Sequence, residues 1–509
     1  MFIILLAIAV VLCYIYNLRQ FKYFSRKHIK YDRPLPIFGN HLQVVFSRKT
    51  EVQMVNALYK KYPHEKLVGY YKGTKPIVVI RDLEVIKHVL SVNFLEFTDR
   101  GVQSNTKIDP LMRNIFTEVG DTWRIIRNYL SPAFSSSKLK NMLPLIVDCT
   151  HKLVSVAHNL ALEEKEFDAC NLSARFTIDV IGACGFGIDM KSMNNEHSLF
   201  LHLRDILFVK SKMRILVFGI YDIFPNIFPE IMRFKRSNIQ QIIKKIFDSV
   251  CSQKTDDAIT HDFLDMMLKL RQIGKLSGDA MEVDENGKKK KIEIEFDEDR
   301  MLAQLYIFFV AGFETSSTVM GYAMHQLAFH PEIQNEVQQE IDEIFAKNDN
   351  KLCYQSLCQM NLLEMVTKEA LRLFPPGAAI GRTCTKDFVI PELNIQIEAG
   401  TTVGIPVYGI QTDPQFFENP LEFNPKRFSN EASQNRHKYA FLPFGEGPRK
   451  CIGARLGTLI VMAGLAVLLE KFSIKPSPSS TRNIKVNPAS YIVHSVDGGL
   501  PVQLILRNK

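Results

Sequence analysis

The pattern best suited to chemistry in this 509-residue chain is a short loop around Cys451: Phe444-Gly445-Glu446-Gly447-Pro448-Arg449-Lys450-Cys451-Ile452-Gly453. Phe441-Leu442-Pro443 precedes it and an apolar helical stretch follows. A cysteine just before a helix sits where the N-terminal dipole favours the thiolate. Gly447 and Gly453 permit left-handed or strained backbone and close approach to a flat partner. Phe444 can pack beside the sulfur and shield it. Arg449 can neutralise a carboxylate, and nearby backbone N–H groups can hydrogen-bond a thiolate and tune it. These are the requirements of a sulfur ligand to a haem iron. The competing view is a Gly-rich loop around an inert buried cysteine. Five specified residues at fixed spacing should arise by chance only about once in thousands of chains of this length.

Three other segments carry chemistry. Glu369-Ala370-Leu371-Arg372 puts two opposite charges on one helix face at i and i+3, which taken alone is a common surface pair. Ala311-Gly312-Phe313-Glu314-Thr315-Ser316 follows the apolar run Leu302 to Val310. A hydroxyl beside an acid can relay protons through water, and Gly312 would leave room for a ligand against the helix. The plainer alternative for Thr315 is packing, or a bond back to a carbonyl. Trp123 and Arg127 stand at i and i+4, on one helix face.

Together these segments resemble the cytochrome P-450 superfamily. The loop matches its haem-binding signature, Phe-x-x-Gly-x-Arg-x-Cys-x-Gly, at every specified position. The resemblance implies a haem b cofactor with Cys451 as the iron's axial ligand and with Phe444, Arg449 and Gly453 around it. It implies that Trp123, Arg127 and Arg382 also bind the cofactor, through its propionates. It implies that Glu314 and Thr315 are catalytic. Glu369 and Arg372 then belong to a structural charged network completed by Arg427 in Pro425-Lys426-Arg427-Phe428. Phe97-Thr98-Asp99-Arg100-Gly101 and Asp179 to Gly187 resemble insect microsomal members of the detoxifying type. The chain departs from the family pattern at a hinge reduced to Pro34 and Pro36. It departs again at Gln411-Thr412-Asp413-Pro414, where a His often precedes the Asp-Pro step.

The implied reaction inserts one oxygen atom from O2 into a lipophilic small molecule, either a xenobiotic such as an insecticide or an endogenous hormone or lipid. No GxGxxG fingerprint opens a βαβ unit, so NADPH must act through a separate protein. The resemblance points to NADPH-cytochrome P-450 reductase, with cytochrome b5 as a second donor. Arg124, Lys138, Lys140 and Lys450 form a candidate basic docking face. Two other classes share the cysteine loop: a haem-thiolate isomerase or dehydratase, which needs no reductase, and a catalytically silent haem-binding protein. The intact Glu314-Thr315 pair argues against both.

The elements that must position these residues read as mainly α with small β-sheets, a cytochrome P-450 fold in one large domain. Ile77 to Ile80 reads as a strand before a helix, and residues 120–350 as mainly helical. Phe388-Val389-Ile390, Thr402 to Val407 and the end from Tyr491 to Leu506 read as strands. Leu456 to Phe472 reads as an apolar helix. Residues 282–299, with Lys288 to Lys291, read as a solvated loop. Val217 to Met232 is apolar and aromatic, and suits either core or a membrane-touching surface beside a substrate entrance. Substrate contacts are expected from Ile115, Phe116, Phe308, Phe309, Ile492 and Val493.

Met1 to Tyr16 is wholly apolar, and Arg19, Lys22, Arg26, Lys27 and Lys30 follow it. No charge precedes the run, so an uncleaved anchor is expected over residues 1–18, with the body held cytosolic on the endoplasmic reticulum, or microsomal, membrane. Residues 19–40 are expected as a basic, proline-containing hinge, and 41–509 as the catalytic domain. A net charge of +9 fits an anionic membrane or an acidic protein. No zinc-finger spacing or RNA-binding signature is present, and nucleic acid is not an expected partner. The nine scattered cysteines lack CxxC pairs, which suits a reducing compartment.

Overall fold

The computed structural model describes residues 19–102, 106, 109–195, 198–208, 212–223, 239–248, 263–488, 490, 493 and 495–508. The expected anchor over residues 1–18 lies outside them, as do residues 224–232 of the apolar stretch and Ile492. Among the described residues no helix is long and apolar enough to cross a membrane.

The principal helices are α1 (Glu51–Lys61), α2 (Gly120–Leu130), α3 (Ser136–Leu162), α4 (Ala169–Ile181), α5 (Leu199–Phe208), α6 (Lys212–Ile223), α7 (Phe263–Ile273), α8 (Glu298–Phe329), α9 (Pro331–Lys347), α10 (Asn361–Leu373) and α11 (Ala454–Lys471). Twelve short strands accompany them among the described residues: β1 (Lys30–Tyr31), β2 (Leu67–Lys72), β3 (Lys75–Ile80), β4 (Phe167–Asp168), β5 (Lys275–Val283), β6 (Lys289–Glu295), β7 (Ile380–Thr383), β8 (Phe388–Ile390), β9 (Ile395–Ile397), β10 (Thr402–Ile405), β11 (Phe472–Pro476) and β12 (Pro501–Leu506). The largest sheet runs β1-β2-β3-β10-β7 and mixes parallel and antiparallel pairs. The mainly α reading with small sheets holds.

The central element is α8. Asp297 caps it by accepting the Arg300 N–H at 2.8 Å. Its face toward α4 approaches so closely that a Cβ on Gly312 would stand 2.5 Å from Ile181 Cδ1, and one on Gly321 2.5 Å from Cys170 Sγ. Gly312 is therefore a helix-packing residue, which corrects the expectation that it leaves room for a ligand. Thr177 of α4 adds a hydroxyl bond to the Phe313 carbonyl at 3.1 Å. From its other side α11 packs against α8, so the helix that carries Glu314 and Thr315 is held on two faces.

Two expectations change in detail. The charged stretch 282–299 contains most of a hairpin, β5-β6, rather than a free loop. Ile292 and Ile294 alternate inward with period 2, and Gly287 at φ 74° makes the turn after Asn286. Its lysines remain exposed, as expected. The stretch expected as a hinge is docked from Phe21 onward, whose ring lies 4.9 Å from that of Tyr71. Phe24 is fully buried, 4.9 Å from the Tyr71 ring and 5.5 Å from that of Tyr31, and β1 pairs with β2.

A fully buried aromatic makes this docking testable. Phe24→Ala leaves a cavity worth about 3–5 kcal/mol. The thermal unfolding midpoint, followed by circular dichroism, should fall by several degrees. An unchanged midpoint would show that residues 19–31 contribute nothing to the body.

Candidate haem-thiolate site

The cysteine loop is fixed by its own backbone. Gly445 N–H donates to Leu442 O at 3.0 Å, Lys450 N–H to Gly447 O at 3.0 Å, and Cys451 N–H to Phe444 O at 2.9 Å. Gly447 has φ 77°, and a Cβ there would lie 1.8 Å from the Leu90 carbonyl oxygen, so only glycine fits. Gly453 differs from expectation: its φ is −90°, an ordinary value, and it serves as the N-cap of α11. Cys451 thus stands three residues before that helix. Phe444 is half-buried against the main hydrophobic core. The cysteine lies deep among protein atoms yet keeps open surface on one side. Burial pushes its thiol up, while the Gly453 N–H and the Arg100 and Arg127 charges pull the other way.

Four arginines cluster on this side of the loop: Arg100 and Arg127 act directly on the sulfur's charge, and Arg449 and Arg382 are coupled to Arg100. Arg449 is buried with Nε donating to Thr98 O at 2.8 Å and Nη2 to Glu118 O at 2.8 Å. Its guanidinium lies 4.0 Å from the centre of the buried Trp123 ring. Arg382, buried on β7, donates Nη1 to Gly381 O at 2.7 Å. Arg100 donates Nη2 to Arg449 O at 2.9 Å and stacks 4.6 Å over Phe116. Arg127, one turn after Trp123 on α2, is half-buried. Arg100 did not emerge as a site residue from the sequence. The signal was present in Asp99-Arg100-Gly101, whose Asp99 bonds to Thr383 beside Arg382 through its carbonyl, at 2.8 Å.

These guanidiniums repel one another. Burial and then the Arg100 charge pull Arg382 down to about 9, and burial with Arg100 and Arg382 does the same to Arg449. Burial, against the pull of Cys451, takes Arg100 to about 10. Arginine does not give up its proton inside a protein, so the site carries unrelieved positive charge. Among the described residues Arg100 Nε, Arg382 Nε and Arg449 Nη1 are buried without a hydrogen-bond partner. The nearest carboxylate, Asp99, stands 3.8 Å from Arg449 Nη2 and is already bonded to Gly120 N–H at 3.1 Å. A flat group bearing two carboxylates, with a metal for the sulfur, fits this donor set.

The second charged network is closed on itself. Arg372 grips Glu369 with Nε at 2.7 Å and Nη2 at 2.8 Å, both residues fully buried. Arg427 Nε adds a bond to Glu369 Oε1 at 3.0 Å, as does the Asn424 N–H at 2.9 Å. Remaining guanidinium N–H groups end on the carbonyls of Gln411, Glu418 and Pro420 at 2.7–2.8 Å. Glu369, Arg372 and Arg427 are thus joined by direct hydrogen bonds.

On α8 the Thr315 hydroxyl donates back to Ala311 O at 2.7 Å, and both residues keep open surface. α11 reaches this stretch directly, since a Cβ on Gly457 would lie 3.5 Å from Ser316 Oγ. Of the expected substrate contacts, Phe116 is exposed and Phe308 half-buried, stacked on Phe263 at 4.4 Å. Phe309 is buried about half a turn away from Ala311, among Phe200 and Phe313, and Ile115 ties its N–H to Gln304 at 2.8 Å.

A cysteine so presented, in a helical fold with an arginine ring around it, defines a haem-thiolate protein. A sequence model of the family "Cytochrome P450" matches residues 30–500. Probable cytochrome P450 6a18 of Drosophila melanogaster is 34% identical over 509 residues, covering 99% of this chain and 98% of that one. Cytochrome P450 6B2 of Helicoverpa armigera is 32% identical, covering 99% and 97%. Cytochrome P450 6k1 of Blattella germanica is 31% identical, covering 99% and 96%. The chain belongs to the cytochrome P450 family. It is a haem-thiolate monooxygenase with haem b as cofactor.

The arginine ring generates a prediction. Arg100→Leu should speed haem transfer from the protein to apomyoglobin by about tenfold, the loss of a single charge-assisted hydrogen bond. An unchanged transfer rate would remove Arg100 from the site. Glu369→Gln should be harsher, because it strands two buried guanidiniums at a cost of about 3–5 kcal/mol. Little haem-loaded protein should then accumulate, measured as the haem-to-protein ratio.

Proposed function

We propose that this chain oxidises lipophilic small molecules at the cytosolic face of the endoplasmic reticulum, R–H + O2 + NADPH + H+ giving R–OH + H2O + NADP+. The observation that carries it is the open-sided Cys451 beside Arg100 and Arg127, which belong to one buried cluster with Arg382 and Arg449. The haem, bound through Cys451, supplies the activation of dioxygen. Trp123 orients Arg449, and the four arginines hold the two propionates. Phe444 screens the sulfur, and Gly453 starts the helix whose N-terminus favours a thiolate. Glu369, Arg372 and Arg427 keep the loop in place. The Thr315 proton rests on Ala311 O and turns toward water in the open space when it is needed, and Glu314 supplies protons from beside it. Half-buried Phe308 and exposed Phe116 give the substrate an apolar wall, which suits xenobiotics such as insecticides as well as hormones or lipids.

Electrons come from NADPH-cytochrome P-450 reductase, with cytochrome b5 as an auxiliary donor. Their docking face combines Arg124 and Lys138, half-exposed, with the exposed Lys140 and Lys450. Residues 1–18 anchor the chain in the membrane. A second contact is formed around Leu35, Ile37 and Phe46, all at least 40% exposed. α6 lies against this region, since a Cβ on its Gly219 would touch Val45 at 3.1 Å. Exposed apolar groups gathered in one place suit a lipid surface.

Carbon monoxide difference spectroscopy of the reduced membranes tests the ligand. The parent chain should give a strongly red-shifted Soret band, and Cys451→Ala should lose it; a band at the histidine-ligated position in the parent would refute the thiolate. Thr315→Ala should keep the band but divert most NADPH consumption into peroxide and water. Charge reversal at Lys138 and Lys140 should raise the reductase concentration needed for half-maximal turnover at low salt. No change there would place the docking face elsewhere.

A further inference from the structure

Gln411 ends the short helix Val407–Gln411 that follows β10, and it is fully buried. All the hydrogen-bonding directions it uses join two parts of the site. Its Nε2 donates to the carbonyls of Leu371 at 3.1 Å and Arg372 at 2.9 Å, in the last turn of α10, where carbonyls have no partner within the helix. Its Oε1 accepts the Leu442 N–H at 3.0 Å, at the entry to the cysteine loop. Its backbone carbonyl accepts Arg372 Nη1 at 2.8 Å. The path continues inward: Leu442 O accepts Gly445 N–H at 3.0 Å, and Phe444 O accepts Cys451 N–H at 2.9 Å.

We infer that Gln411 is a positioning residue, clasping the cysteine loop to the Glu369–Arg372–Arg427 network and so setting where the Cys451 sulfur stands. The inference rests on Cys451 being the iron ligand. A primary amide suits this place because it offers two donors and an acceptor in one plane. A neutral imidazole offers one donor and one acceptor, enough to keep the loop joined to α10 by a single bond at each end. A hydrocarbon of the same size leaves the Leu442 N–H and two helix carbonyls buried without partners. The loop entry would then keep the packing of Leu442 and Phe441 but lose its hydrogen bond across to Gln411 and α10.

Loss of positioning must be told apart from loss of stability, and the chain contains its own control. Gln334 is also buried and clasps in the same way, with Nε2 donating to Leu327 O and Ile474 O at 2.9 Å and Oε1 accepting the Ile474 N–H at 2.6 Å. It joins α9 to α8 and β11 and makes no bond to the cysteine loop. The experiment compares Gln411→Leu, Gln411→His and Gln334→Leu in the full-length, haem-loaded chain. Three quantities are read: the thermal midpoint, the share of haem giving the red-shifted carbon monoxide band, and hydrogen exchange of the peptide spanning Leu442 to Cys451. Both Leu variants should lower the midpoint. Only Gln411→Leu should move most of the haem to the unshifted band and speed exchange in the loop by about tenfold or more. Gln411→His should retain most of the red-shifted band, and it remains informative if the Leu variant fails to accumulate. Equal band shares and equal loop exchange in the Gln411 and Gln334 variants would overturn the inference. A parent chain without the red-shifted band would instead overturn the assignment of Cys451 as ligand, and the inference with it.

Discussion

Positive charge gathered inside the protein without matching protein carboxylates is the constraint that shapes this molecule. Arg100, Arg127, Arg382 and Arg449 come from four separate segments and form one coupled cluster, of which Arg100 and Arg127 also act on the Cys451 sulfur. Burying a charge is tolerable only if it is paired and hydrogen-bonded. The chain satisfies part of the Arg100, Arg382 and Arg449 guanidiniums with carbonyls and two ring faces, and leaves specific nitrogens of the same three for another partner. Such a ring holds its shape because its supports are rigid: β7 carries Arg382, α2 carries Trp123 and Arg127, and the backbone bond from Thr383 to Asp99 keeps Arg100 beside them.

The Glu369 network is the instructive contrast. It too buries two arginines, yet it contains its own anion, and its guanidinium groups find carbonyls within the chain. A cluster whose hydrogen bonds close internally fixes backbone; a cluster with buried donors left over binds something. The same residue type therefore serves two purposes some distance apart in sequence. Partner inventory, rather than the presence of charge, separates them.

Much of this was legible in the sequence because the chemistry demands particular residues at particular spacings. The loop around Cys451 could be read at once, since Gly447 at φ 77° under the Leu90 carbonyl admits no other residue. Gly453 looked equivalent but has an ordinary backbone, which shows that a glycine in a motif does not reveal which constraint it answers. Arg100 escaped because its role depends on a cross-chain bridge to β7, a contact with no periodicity along the chain. The β5-β6 hairpin was hidden by composition: four consecutive lysines outweighed the alternation at Ile292 and Ile294 and the Asn286-Gly287 turn. Gly312 was misjudged for a related reason, since a small residue opens space on one side of a helix only if no neighbouring helix fills it, and Ile181 does.

The remaining question is how a rigid site handles protons that must arrive on demand. α8 is immobilised by α4 and α11, so a gate made by moving the whole helix would disturb two packed interfaces. A hydroxyl rotor needs no such movement. Thr315 now donates to the Ala311 carbonyl, a bond worth net about 0.5–1.5 kcal/mol, so exchanging it for a donation into the open space costs little. The exposed surface of Ala311 and the half-exposed Thr315 leave water room to accept that proton. In the proposed function, then, the helix supplies permanence and a single torsion supplies the switch. The close packing through Gly312, which turns that residue toward Ile181, is what would let the neighbouring hydroxyl turn while the helix stays fixed.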